Sequence, residues 1–228
     1  MPLHLIYSMD RKKRKHMNKI ECVFILDRSG SMAGLESDTI NGFNGLLNKQ
    51  RSEEGEALIT TVLFDHEYEL LHDRINVKSI QNITDKEYYV RGSTALLDAI
   101  GHTIDKIGNV QKMTKVEDRA DKVLFVITTD GMENSSRKYD YSKIKHMIEN
   151  QKRKYQWEFI FMGANMDAIE MANRFGIDSN RAVNYHSDKK GTQVNYESMS
   201  KVVSNLRMSK SIDEDWKKDI DEDFKSRT

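Results

Sequence analysis

Two apolar runs, each ending on an aspartate, constrain this chain more than any other feature. Residues 20–26 (Ile-Glu-Cys-Val-Phe-Ile-Leu) lead into Asp27-Arg28-Ser29-Gly30-Ser31, and residues 123–129 (Val-Leu-Phe-Val-Ile-Thr-Thr) lead into Asp130-Gly131. Such a run is too apolar for a half-exposed strand and reads as a central parallel strand covered on both faces. Helical patterns alternate with these runs. Ile40, Phe43 and Leu47 recur at helical spacing within residues 35–50, as do Leu97, Ile100, Ile104 and Ile107, and then Ile144, Met147 and Ile148 within 141–154. Residues 58–64 and 68–71 flank the turn Asp65-His66-Glu67 and predict an antiparallel hairpin. Further on come a strand at 157–162, a short helix at 167–175 stopped by Gly176, and a short edge strand at 181–183. Met199, Val202, Val203 and Leu206 mark the last helix of the body. The alternation predicts an α/β fold: a doubly wound, mostly parallel sheet with one antiparallel edge hairpin strand and helices on both faces. Ligands of such sheets bind beyond the carboxyl ends of the strands, where the strand order reverses. Both aspartates stand at strand carboxyl ends.

Composition narrows the function classes. The 228 residues carry 36 basic and 36 acidic side chains, a formal net charge of +0, so no overall field draws in nucleic acid or an anionic membrane. No apolar run approaches the roughly 20 residues needed to span a bilayer. The N-terminus shows no signal-peptide pattern, and the single cysteine, Cys22, lies inside the first strand, so the expected location is cytoplasmic. Residues 1–18, with the basic run Arg11-Lys12-Lys13-Arg14-Lys15-His16, are expected to be a disordered leader ahead of a domain at 19–210. Residues 211–228 place Ile212, Trp216, Ile220 and Phe224 four apart, an amphipathic helix whose stripe needs burial against the body. His66, His72, His102, His146 and His186 show no zinc-ligand spacing, and no glycine-rich phosphate-binding loop or Gly-x-Ser-x-Gly elbow is present.

The polar residues at the strand ends have a definite chemistry. In Asp27-x-Ser29-x-Ser31 three hard oxygen donors stand at alternate positions of an extended loop and can converge on one small dication. Gly30 lets the loop turn without a Cβ clash. Thr94 follows the glycine-containing loop Arg91-Gly92-Ser93 at the start of a helix and can add a third hydroxyl. Asp27 and Asp130 can ligate directly or hold the hydroxyls and metal waters. Magnesium favours six oxygens in octahedral array, and Mn²⁺ suits the same donors. Mostly neutral ligands would leave much of the cation's charge uncompensated, so an acidic group of a partner would complete the shell. Taken singly, each piece has an ordinary reading: Ser31 or Thr94 as a helix cap, Asp130-Gly131 as a turn. Arg28, Glu133 and Asn134 flank the constellation as candidate ligand-face residues.

Asp27-x-Ser29-x-Ser31, Gly92-Ser93-Thr94-Ala95-Leu96 and Thr128-Thr129-Asp130-Gly131 together resemble the three segments of the metal-ion-dependent adhesion site of von Willebrand factor A-type domains. The resemblance covers residues 19–206 and is nearest in style to short intracellular bacterial or phage members, including those near tellurite-resistance genes. It implies a Rossmann-like sheet, with Ser29, Ser31 and Thr94 as metal ligands and Asp27 and Asp130 as direct or water-mediated ones. The expected function is a non-enzymatic, metal-dependent module that holds one Mg²⁺ (or Mn²⁺) at the top of the sheet and captures an Asp or Glu of a protein partner. Two rival readings are a magnesium-dependent hydrolase or phosphotransferase, with a strand-end aspartate as nucleophile, and a structural component of a stress-response assembly.

Overall fold

The computed structural model describes residues 19–208 and 210–227; the leader and its basic run lie outside the described residues. Strands β1 (Lys19–Asp27), β2 (Glu56–Phe64), β3 (Tyr68–Asn76), β4 (Lys122–Thr129), β5 (Glu158–Gly163) and β6 (Ala182–Asn184) form one sheet in the order β3-β2-β1-β4-β5-β6. Only the β2–β3 pair is antiparallel. The helices are α1 (Glu36–Ser52), α2 (Leu96–Met113), α3 (Tyr141–Tyr155), α4 (Ala168–Arg174), α5 (Lys189–Arg207) and α6 (Lys218–Ser226).

Side chains alternate across a strand, and β1 shows why its apolar run is nearly unbroken. Ile20, Cys22, Phe24 and Leu26 enter a core with Phe43 and Leu47 of α1 and Met199, Val203 and Leu206 of α5. Val23 and Ile25 point the other way, into a core with Leu97, Ile100 and Ile104 of α2 and Ile144 and Ile148 of α3. β4 divides likewise, Leu124 and Val126 on one side and Val123, Phe125 and Ile127 on the other. Each such side chain, once buried, contributes about 1.5–3 kcal/mol. The one charge in the run, Glu21, is wholly buried and is accommodated by Arg74 Nε at 2.8 Å and Gln111 Nε2 at 2.6 Å.

Two elements differ from the sequence reading. β3 continues to Asn76, five residues beyond Leu71, because an edge strand needs no apolar alternation to keep pairing; its later residues include Asp73 and Arg74. The C-terminal helix begins only at Lys218, so Ile212 and Trp216 precede it. They are nevertheless buried: Ile212, Trp216 and Ile220 join the α1–α5 core, and Trp216 Nε1 donates to the Asn180 carbonyl at 2.8 Å. Phe224, the fourth of the stripe, is half-buried and stacks on His186.

β1 and β4 are the adjacent strands from which the chain proceeds in opposite directions, to β2 on one side and β5 on the other. Asp27 and Thr129 are their last residues, so the crevice of the sheet opens between Asp27 and Asp130.

Candidate metal centre

Asp27 is buried and fixed at every polar atom. Its Oδ1 accepts the Ser29 amide at 2.7 Å, its Oδ2 accepts the Thr129 hydroxyl at 2.5 Å, and its carbonyl accepts the Tyr88 hydroxyl at 2.5 Å. Burial pushes its carboxyl up from 3.8 to about 6, against the hydrogen bonds from Thr129 and Ser29, and the negative charge of Asp130 adds to the rise.

The three hydroxyls converge. Ser29 Oγ lies 2.9 Å from Ser31 Oγ and accepts a hydrogen bond from Thr94 Oγ1 at 3.0 Å. Octahedral coordination at about 2.0–2.1 Å sets neighbouring ligand oxygens about 2.8–3.0 Å apart, so the spacing suits a small hard cation. Gly131 supplies a second measure of fit: a Cβ there would stand 2.8 Å from Ser31 Oγ, 2.9 Å from Thr94 Oγ1 and 3.5 Å from Ser29 Oγ. The oxygens thus face a common space kept open by the missing side chain. Asp130 is buried beside it; its Oδ2 accepts the Ser187 hydroxyl at 3.0 Å, while Oδ1 has no partner. A buried carboxylate oxygen without a donor is costly unless a cation meets it. Donor set, spacing and orphaned oxygen all fit a divalent ion.

Neither Ser31 nor Thr94 is a helix cap, and Ser29, at the start of the short 3-10 helix Gly30–Met32, makes no side-chain cap bond. α1 has Leu35 and α2 has Ala95 at the cap position, both without a side-chain cap bond. The start of α2 is satisfied from another loop: Glu133 Oε2 accepts the Leu97 amide at 2.9 Å and Ser136 Oγ accepts the Asp98 amide at 3.0 Å. That frees the Thr94 hydroxyl. Thr94 itself is held by its amide on Asn134 Oδ1 at 2.9 Å and by its carbonyl, which accepts the Asn134 amide at 3.0 Å. Gly30 donates its amide to the Gly92 carbonyl at 3.1 Å, and a Cβ on Gly30 would press that oxygen at 3.3 Å. Close approach, not a turn, is what Gly30 provides. The left-handed residue is Gly92, at φ +67°, where a Cβ would strike the His66 ring.

Of the three flanking residues expected on the ligand face, Arg28 and Glu133 are committed to internal contacts. Arg28 is wholly buried and turns away from the hydroxyls, its Nε on Asp65 at 2.9 Å and its Nη1 on Glu69 at 2.7 Å. All four hydrogen bonds of Glu133 are internal, from the amides of Leu97, Ser135 and Ser136 and the Ser136 hydroxyl. Asn134 is exposed, but its carbonyl is spent on Thr94. All three brace the site. Sequence reasoning missed Thr129, Gly131 and Ser187. Thr129 sat inside a recognised segment; Ser187, 57 positions from Asp130, had no sequence signal.

Among the described residues, Asp65, His66 and Glu67 also bring potential ligand atoms within 4.8 Å of one another. Asp65 is already paired with Arg28 and Arg91, whose guanidinium groups repel a cation. Ser31 and Asp130 instead open onto a surface cleft of about 630 Å³, also lined by Asp38, Asn165 and Lys189.

No family model and no curated protein sequence matches this chain. Solved structures do. Proximal thread matrix protein 1 from the mussel byssus is 16% identical with a TM-score of 0.57, over 82% of this chain and 46% of that one. A von Willebrand factor type A protein from Catenulispora acidiphila is 12% identical, TM-score 0.57, over 82% and 43%. Manganese-loaded TRAP protein from Plasmodium vivax is 16% identical, TM-score 0.52, over 78% and 72%. The mussel protein has also been solved with a zinc-occupied MIDAS motif. The chain spans less than half the length of the mussel and Catenulispora chains it matches. At these identities the likeness establishes the fold: a von Willebrand factor A-type, Rossmann-like α/β sheet.

Proposed function

We propose that the chain is a von Willebrand factor A-type binding module that holds one divalent cation, Mg²⁺ or Mn²⁺, on Ser29, Ser31 and Thr94, with Asp27 and Asp130 as direct or water-mediated ligands. When bound, the ion supplies a Lewis-acidic position for an Asp or Glu side chain of a protein partner. The observation that carries this reading is the convergence of three neutral hydroxyls on one space beside the unpartnered Asp130 Oδ1. This chain's residues orient and preorganise: Asp27 fixes the Ser29 loop, Asn134 fixes Thr94, and Ser187 orients Asp130. Metal-loaded relatives of the same fold support the choice of a divalent ion.

A non-enzymatic role fits the site better than phosphoryl transfer. Arg28, the cation nearest in sequence, is committed to Asp65 and Glu69 and is unavailable to a phosphate. With no overall charge, the chain is read as a partner of neither nucleic acid nor membrane, and with its sole cysteine buried, as cytoplasmic. Among the described residues no helix is long and apolar enough to cross a membrane.

The test is selection of displayed peptides on the full chain in Mg²⁺. Peptides released by EDTA should share an Asp or Glu and should not bind Ser29→Ala. Selection unaffected by chelation and by that substitution would refute the proposal.

A further inference from the structure

On the α5 side of the sheet, next to Asp27, lies a small, largely enclosed cavity. Leu26 and Met32 form its apolar wall, Thr39, Thr128, Tyr185, Thr192, Asn195 and Tyr196 are its polar lining residues, and Asp27 borders it. Three of these carry buried atoms with no hydrogen-bond partner: Thr128 Oγ1, Asn195 Oδ1 and Tyr196 OH. They come from two elements, β4 and α5, so no single loop movement would pair them. We infer that this cavity is a binding site for one ordered water molecule, held by the Thr128 hydroxyl, the Asn195 side-chain carbonyl and the Tyr196 hydroxyl.

The size and chemistry agree. The centre of a water molecule has about 10 Å³ to occupy, close to the minimum for a single water and far too little for an organic ligand. Cavities that stay empty are apolar, whereas three of the residues lining this one each carry a buried polar atom without a partner, and internal waters typically make about three hydrogen bonds. The inventory balances: the Tyr196 hydroxyl donates to the water, the water donates to Asn195 Oδ1, and the Thr128 hydroxyl either donates or accepts. Tyr196 is not free to swing its hydroxyl elsewhere, because its ring fills the space left by Gly42, where a Cβ would stand 2.2 Å from Cδ2. Asn195 and Thr128 are likewise buried, at 2% and 8% exposure. The water therefore ties α5 to the floor of the crevice next to Asp27, a link that direct hydrogen bonds do not make.

A crystal structure of the full chain at about 1.5 Å tests this directly. A spherical density peak within about 3.2 Å of all three atoms is expected; no peak there, or an anomalous signal at that point after thallium(I) soaking, overturns the assignment. In solution, oxygen-17 relaxation dispersion of water counts long-lived internal molecules. Asn195→Leu, similar in shape and without polar atoms, should lower the dispersion amplitude by one water, and an unchanged amplitude overturns the inference. Should that variant not fold, Thr128→Val removes one of three partners and should move the dispersion to higher frequency; an unmoved dispersion counts against the water equally.

Discussion

Gly131→Ala is the substitution that best separates the candidate metal centre from the fold that carries it. The new methyl would stand 2.8 Å from Ser31 Oγ and 2.9 Å from Thr94 Oγ1, well inside ordinary contact, so both hydroxyls must move. Ser31 is exposed and can change rotamer, and Gly131 does not occupy left-handed backbone, so alanine meets no main-chain strain. The fold loses one or two hydroxyl contacts at about 0.5–1.5 kcal/mol each. The unfolded chain loses conformational freedom, which returns about 0.4–1 kcal/mol. Net destabilisation should stay near 1 kcal/mol, a fall of about 2–4 °C in melting temperature for a chain of this size. The cation fares differently, because the methyl fills the space that the oxygens face. Loss of outer partners alone costs 10–100-fold in metal affinity, so displacing two hydroxyl ligands should cost at least about 100-fold, or about 2.7 kcal/mol. Titration calorimetry with Mn²⁺ and Mg²⁺, beside thermal denaturation in EDTA, measures both quantities on the same samples. Affinity within about threefold of wild type, under 0.7 kcal/mol, would show that the hydroxyls do not meet a cation there.

Three further outcomes follow from the contacts. Ser187→Ala removes the donor on Asp130 Oδ2 and should weaken metal binding about 10–100-fold by calorimetry, with little change in urea denaturation. Arg28→Ala breaks a fully buried ion pair with Asp65 and should cost about 3–5 kcal/mol in urea denaturation, at the low end because Arg91 still pairs with Asp65. Asp98 is partly buried, which raises its pKa, but the backbone amides of Arg137, Lys138 and Tyr139 outweigh that and hold the carboxyl below its usual 3.8. A carboxyl depressed in the folded state stabilises above its unfolded pKa and loses that contribution as pH falls through the folded one. The stability gap between wild type and Asp98→Asn, followed by denaturation across pH, should therefore be full at neutral pH and close below about pH 4; a gap that persists in acid would show that the carboxylate charge is not what the amides bind.

What the sequence revealed, and what it concealed, follows the same physics. β1 and β4 were legible because burial on both faces leaves no room for polar residues, and the oxygens of Asp27, Ser29 and Ser31 were legible from their alternate positions. Only the stretch up to Ser29 is extended, however, and Gly30–Met32 turns into a short 3-10 helix instead of the expected extended loop. That alternation also puts Arg28 on the opposite side, where it is buried, so adjacency to Asp27 misled where periodicity would have served. The first turns of α5 were obscured by Lys189, Lys190 and Gln193, although Asp188 caps them through the Gly191 amide at 2.8 Å. Glu133 looked like a ligand-face carboxylate because its four internal donors come from a distant helix start and its own loop, which no spacing rule anticipates.

The preorganisation of the rim explains how a site with few charged donors can serve the proposed function. Its segments are tied to one another rather than to solvent: Gly30 to Gly92, Arg91 to Arg28, Ala95 to Asp65, Thr94 to Asn134, and Ala164 to Thr129. Loops fixed in advance spare binding the entropy of ordering them, which is where neutral hydroxyl ligands would otherwise lose to flexible carboxylates. The electrostatics act in the same direction. Asp27 and Asp130 repel one another across a buried crevice, and a dication between them would reverse that repulsion into attraction. The two carboxylates balance its charge and the neutral hydroxyls add none, so the filled site would carry no net negative charge against a partner's acid. A site with a third carboxylate would hold the ion more tightly but would be net negative and repel a partner's acid. In the proposed function, the balance of three hydroxyls to two aspartates is thus the feature that would turn metal retention into partner capture.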